Sequence, residues 1–191
     1  MKPPVKSLAV ITIFFVSLSS SIAQFKFSAN TGNSVATDVI KIINDYPNQF
    51  ENVTGELIIQ NPQSSDYECN VKLDGAEESV ITRYSGKRNS LSWRAVMLTT
   101  ENFVQAKRKF NALYNQLNNL EVRTMHLKGT YESPSEESKF SSVIMAFDHS
   151  DESLKKLKIE VILEAEQMEW KVKLLVYDRD RLDGEQGEVV E

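Results

Sequence analysis

The 191-residue chain contains one cysteine, two histidines and seven glycines. Cys69 has no partner for an internal disulfide, so even in an oxidising compartment the fold must be held by its packed core. Its expected role is that of a small buried hydrophobe on an inward strand position. Seven glycines leave little material for backbone-lined phosphate loops. No Gly-x-Ser-x-Gly, His-Glu-x-x-His, Gly-rich phosphate loop or Cys-x-x-Cys occurs. Positive charge is also short, with 22 Lys and Arg against 27 Asp and Glu, which argues against a nucleic-acid partner because that requires a basic stripe.

The candidates for chemistry are correspondingly few. His126 is expected on an outward strand position, in solvent. His149 stands among Asp148, Asp151 and Glu152, ligand types suited to a weak metal site. Acids and a serine ahead of a short helical turn are also ordinary capping chemistry, and no metal or cofactor is expected. Asp178 to Gly184 has acids near calcium-loop spacing, but the third acid and the glycine fall one position late. Asn52-Val53-Thr54 matches a glycosylation acceptor, relevant only in a eukaryotic secretory pathway.

Residues 1–23 have the three parts of a secretory signal: Lys2 and Lys6, an apolar stretch from Leu8 to Leu18, and Ser21-Ile22-Ala23 before the expected cleavage. That stretch is shorter than the ~20 residues a spanning helix needs, and no later segment is apolar enough to cross a membrane. Losing the two lysines with the leader takes the formal charge from −5 to −7. The expected location is outside the cytoplasm, periplasmic or extracellular, in a bacterial envelope.

Downstream, one pattern occurs twice. Leu91-Ser-Trp-Arg-Ala-Val-Met-Leu98 and Met168-Glu-Trp-Lys-Val-Lys-Leu-Leu175 alternate large apolar with polar or basic residues around a central Trp, 77 residues apart. Gly55 precedes Gly129 by 74 residues, and each has apolar residues two positions to either side. The same offset aligns Cys69, Val71 and Leu73 with Val143, Met145 and Phe147, and Val39, Ile40 and Ile43 with Leu113, Tyr114 and Leu117. A three-residue insertion near Asp148 to Glu152 accounts for the change of offset. Self-similarity at a fixed period indicates an internal duplication.

Each unit opens with a helix. The first is expected from Asn33 or Ser34 to Pro47, with Val35, Ala36, Val39, Ile40, Ile43 and Tyr46 on its apolar face. The second should open at Thr99-Thr100-Glu101 and turn Phe103, Ala106, Phe110, Leu113, Tyr114, Leu117 and Leu120 inward. The run Lys107, Arg108 and Lys109 then becomes a solvated side. Strands follow at 53–60, 67–73, 79–84 and 91–99, and again at 122–132, 139–147, 157–164 and 168–177, joined by turn signals that favour an antiparallel meander.

The fold expected is therefore α+β: tandem duplicated α-β-β-β-β units, with two helices packed on one face of an eight-stranded antiparallel sheet. The boundaries are a signal peptide (1–23), a flexible lead-in (24–32), a first αβ4 unit (33–99), a second αβ4 unit fused into the same domain (100–177), and an acidic disordered tail (178–191). Taking the Trp face as inward also turns Val80, Leu57, Tyr131 and Met168 inward. Gly55 and Gly129 are expected where a helix approaches the sheet. The outward face then combines basic Arg83, Arg94, Lys128, Lys158, Lys171 and Lys173 with apolar Ile58, Ile81, Val96, Leu98, Ile144, Ile162, Leu175 and Tyr177, and with fewer acids.

An apolar patch with a basic bias is a plausible protein-binding surface. Tandem helix-plus-sheet units of this kind resemble, in topology, the secreted β-lactamase inhibitor proteins. That resemblance implies a partner held on the open sheet face. The expected function is a non-enzymatic binding module for a protein or peptide, with Arg83, Arg94, Val96, Leu98, Lys171, Lys173, Leu175 and Tyr177 as partner-binding residues. The alternative is a carrier for an apolar small molecule or lipid between helices and sheet, lined by Phe103, Phe110, Tyr114, Trp93, Trp170 and Met145. An enzyme using His149 or Cys69 lacks a visible acid–base or nucleophilic partner.

Overall fold

The computed structural model describes residues 34–85, 90–148 and 152–178, all within one compact unit. The proposed signal peptide and lead-in, His149 and the tail beyond Asp178 lie outside the described residues.

Helix α1 spans Ser34–Asp45 and passes into a single 3-10 turn, Tyr46–Asn48. Pro47 fits there because the first turn of a helix has no partner for the amide that proline lacks. α1 buries Val35, Val39, Ile42 and Ile43, while Ala36 and Ile40 are only partly covered. The inward face is thus rotated toward Ile42, which the expected face left out. Helix α2, Phe103–Leu117, starts later than the Thr99–Thr100 signal suggests. The cap is Asn102, whose side chain accepts from the Gln105 amide at 3.1 Å, because Thr99 and Thr100 are still part of a strand. Ala106, Phe110, Leu113 and Leu117 are buried at the expected spacing.

The strands are β1 (Thr54–Gln60), β2 (Ser64–Cys69), β3 (Glu78–Tyr84), β4 (Leu91–Thr100), β5 (Glu121–Val122), β6 (Met125–Gly129), β7 (Phe140–Phe147), β8 (Lys158–Glu166) and β9 (Glu169–Tyr177). They form one antiparallel sheet of nine, not eight, in the order β1-β2-β3-β4-β9-β8-β7-β6-β5. The extra strand comes from splitting 122–132. Arg123 and Thr124 both have positive φ, which closes a two-residue hairpin between β5 and β6 without glycine. Gln167 and Met168 do the same between β8 and β9. Met168 is therefore a turn residue, 95 % exposed, and not an inward strand position.

The two Trp-centred strands, β4 and β9, pair antiparallel at the centre of the sheet. Both helices join the core on the Trp side, with Trp93, Phe110, Leu113, Met145, Ile43 and Leu174 in one continuous cluster. Phe103 lies against Trp170 with ring centroids 4.9 Å apart. The aromatic residues considered as a ligand lining are packed into this cluster, and Trp93, Phe110 and Met145 are fully buried.

Several expected facings are corrected. Ile81, not Val80, stands opposite Trp93 and joins the core, since directly opposed residues share a face and pairing with β4 sets Val80 against outward Arg94. Leu57 is half exposed on edge strand β1, where register shifts flank it, and Tyr131 lies past the end of β6 and is exposed. Gly55 and Gly129 are tight against neighbouring strands and not against a helix. A Cβ on Gly129 would meet Met145 Cγ at 2.5 Å, and one on Gly55 would meet Asn70 Oδ1 at 3.0 Å. Of the basic run on α2, Arg108 is exposed, but Lys107 donates to the Pro134 carbonyl at 2.8 Å. Lys109 is half-buried, and burial lowers its pKa although Asp74 and Glu77 oppose the shift.

Candidate functional site

The sheet face opposite the helices is built from cross-strand rows. One row runs Asp66, Thr82, Ser92, Tyr177, Lys158; the next runs Glu68, Val80, Arg94, Leu175, Glu160, Ile144. A third runs Glu78, Val96, Lys173, Ile162, Ser142. Of the eight expected partner-binding residues, Arg94, Val96, Lys171, Lys173, Leu175 and Tyr177 share this face. Arg83 and Leu98 do not.

Arg83 stands opposite the core residue Leu91 and reaches back to the Gln49 carbonyl at 3.4 Å, so it belongs to the helix side. It is two residues from Ile81 and so shares its face. Leu98 is displaced by a bulge in β4 between Val96 and Leu98, which places it opposite the core residue Val172. A period-two count carried through the bulge gives the wrong face.

The face carries no basic excess. Asp66, Glu68, Glu78, Glu160 and Glu164 share it by register. Arg94 pairs with Glu78 at 3.1 Å, Lys171 with Glu166 at 2.8 Å, and Lys173 with Glu164. Hydrogen bonding to Lys171 holds the Glu166 carboxyl below its ordinary range, and the same bond raises the Lys171 pKa. The three pairs are diagonal neighbours on adjacent strands, within reach of long side chains, and opposite charges so placed stabilise the pairing.

The centre of the face is buried although the helices lie on the other side. Ile162 and Val96 flank Lys173 in their row and are 1 % and 8 % exposed. Glu160 is 1 % exposed and accepts a hydrogen bond from the Tyr177 hydroxyl at 2.8 Å. A buried carboxylate with a hydroxyl donor is tolerated where an unpartnered one would not be.

Beside these residues the face opens into a hollow of about 380 Å³ spanning β2, β3, β4, β9 and β8. Hydroxyls of Ser64, Thr82, Tyr84 and Ser92 line it together with Asp66, Arg94, Glu164 and Lys173, and Ile162, Leu175 and Tyr177 supply its apolar part. Asp66 accepts from Thr82 Oγ1 at 2.7 Å, which fixes one wall. The sequence did not single out Ser64, Asp66, Thr82, Ser92 or Glu164, because only strand pairing brings them together. Alternation within each strand was the one available signal.

Elsewhere, Cys69 is buried and His126 is exposed, as expected. Asp178, the first residue of the expected tail, belongs instead to the fold: it accepts from Tyr46 Oη at 2.9 Å and from the Leu91 amide at 3.4 Å. Burial, with this hydrogen bond second, raises the Tyr46 pKa well above the usual phenol value. Among the described residues, no group of three or more His, Cys, Asp or Glu side chains is placed to share a metal ion. Among them, too, no helix is long and apolar enough to cross a membrane. Compared with known protein families, curated proteins and solved structures, the chain matches none, so the topological resemblance to β-lactamase inhibitor proteins gains no support from that side.

Proposed function

We propose that the chain is an exported, non-enzymatic binding module that recognises a protein or peptide through the sheet face opposite its helices. The observation that supports this reading best is the hollow on that face, where four hydroxyls, two cations and two carboxylates converge over a part-apolar floor. Groups of both signs beside donors and acceptors suit the mixed chemistry of a peptide segment better than a purely anionic or purely apolar ligand. Arg94, Lys173, Leu175 and Tyr177 remain the partner-facing residues from the sequence, joined by Asp66, Thr82, Ser92 and Glu164. Val96 contributes as the covered base of the surface, and Lys171 as its charged rim.

The proposal includes a tandem duplication. Supporting it, the two Trp-centred strands are central neighbours, and from them the sheet runs outward as β4-β3-β2-β1 on one side and β9-β8-β7-β6 on the other. Export is proposed from residues 1–23 alone.

Ser92→Trp tests the surface assignment, because an indole at this half-buried position fills the hollow without touching the core side. The full chain expressed in its own host, purified and examined by native mass spectrometry, should retain a peptide or protein that the variant loses, with far-UV circular dichroism and Tm unchanged. Equal retention by the folded variant would remove the hollow from the proposal.

A further inference from the structure

Arg83 differs from the other strand arginine, Arg94. Arg94 has a carboxylate partner, Glu78, whereas Arg83 has none among the described residues. Its bonds are two long ones through Nη2, to the Gln49 carbonyl at 3.4 Å and to Thr54 Oγ1 at 3.5 Å. Its guanidinium carbon lies 5.5 Å from the centre of the Tyr67 ring. Nε is buried without any hydrogen-bond partner. A guanidinium carries five N–H donors in a rigid fork matched to oxyanions, and a partly desolvated one with so few acceptors is poised for an added anion.

Space for one adjoins it. A cavity of about 210 Å³ is lined by Arg83 with Gln49, Ser65, Tyr84, Ser85, Ser90 and Leu91, and none of its walls among the described residues is an acidic side chain. The nearby carboxylate of Asp178 is held instead by Tyr46 and the Leu91 amide. Given about 30 Å³ per water in the liquid, the volume suits one small anion with some water, and it falls below the roughly 300 Å³ at which pockets accept drug-sized ligands. Ser65 stands directly across from Arg83 in the β2–β3 register, which places a hydroxyl beside the guanidinium on the same face.

We propose that Arg83, with Ser65 and Gln49, forms a binding site for a small oxyanion, a phosphate, sulfate or carboxylate group, on the helix side of the sheet. This site lies on the other side of the sheet from the hollow, and of the lining residues Tyr84 alone borders both. The charge of Arg83 supplies affinity and repels cations, and the neighbouring hydroxyls and amide orient the ligand.

The full chain would be titrated with sodium phosphate, sulfate and acetate at constant ionic strength balanced by chloride. Isothermal calorimetry and the rise in Tm would be followed in parallel. Saturable binding is expected for at least one anion. Phosphate or sulfate alone identifies a tetrahedral oxyanion, and acetate a carboxylate. Arg83→Gln should weaken it about 10- to 100-fold, the scale of a lost charge-assisted hydrogen bond, while Arg108→Gln on exposed α2 leaves it unchanged. Ser65→Asp provides a second route if Arg83→Gln fails to fold. A carboxylate opposite Arg83 should occupy the guanidinium and abolish anion binding in a folded protein. Absence of saturation by all three anions, or wild-type affinity in either folded variant, would overturn the site.

Discussion

Strands β4 and β9 have the same Trp-centred pattern and are hydrogen-bonded neighbours, yet they use it differently. β9 is regular from Glu169 to Tyr177, so Trp170, Val172, Leu174 and Val176 face the helices, and Lys171, Lys173, Leu175 and Tyr177 face the other way. β4 follows the same rule from Leu91 to Val96 and then bulges. Leu98, which matches Leu175 when the two tryptophans are aligned, consequently lies on the helix side, packed against the core. Their beginnings differ as well: Leu91 is buried, whereas the aligned Met168 is 95 % exposed in a two-residue turn. Equal patterns therefore specify equal strands only as far as the backbone keeps one residue per pleat.

The largest effects are expected at the two tryptophans. Trp93 is fully buried and donates its indole N–H to Ser79 Oγ at 3.0 Å, whereas Trp170 is 8 % exposed against Phe103. Trp93→Ala should cost about 3–5 kcal/mol by denaturant unfolding, with Trp170→Ala at or below the bottom of that range. A larger loss at Trp170 would mean that β9, and not β4, anchors the core.

Leu98 and Leu175 sharpen the comparison. Leu98→Lys removes a partly buried apolar side chain from the helix side and should cost about 1–2 kcal/mol. Leu175→Lys, on the opposite face, should cost under about 1 kcal/mol. Equal costs in urea melts would refute the change of face at the bulge.

A smaller effect concerns the end of the β4–β9 seam, where Asp178 follows β9 and accepts from Leu91 of β4 and from Tyr46. The folded state favours the neutral Tyr46 phenol, so its raised pKa contributes stability that is complete below the ordinary value of 10.0 and is lost as pH rises beyond it. Tm measured from pH 9 upward should fall more steeply for the wild type than for Tyr46→Phe. Parallel curves would show that Tyr46 does not couple the seam to pH.

Much of the fold was legible because it follows from local pattern. The three- and four-residue spacing from Phe103 to Leu117 could form only one apolar stripe, and the alternation around Trp93 and Trp170 could form only half-buried strands. Less of the candidate site was legible. Six of the eight expected residues share the face, but the sequence counted lysines and arginines without seeing which carboxylates lie diagonal to them. Glu78, Glu164 and Glu166 become partners of Arg94, Lys173 and Lys171 only through pairing between strands or across the hairpin.

The sequence by itself determined the element types, the two helical stripes, the reliance on a core without disulfides, and the inward placement of both tryptophans, since each depends on residue chemistry repeated at a fixed local period. Tertiary structure alone decided that β4 and β9 are neighbours, that β4 bulges, that Arg83 faces the helix side with no carboxylate partner among the described residues, and that polar residues from five strands surround one hollow. Those outcomes depend on hydrogen-bond register between segments distant in the chain, and backbone pairing carries almost no side-chain signature that a single sequence can display.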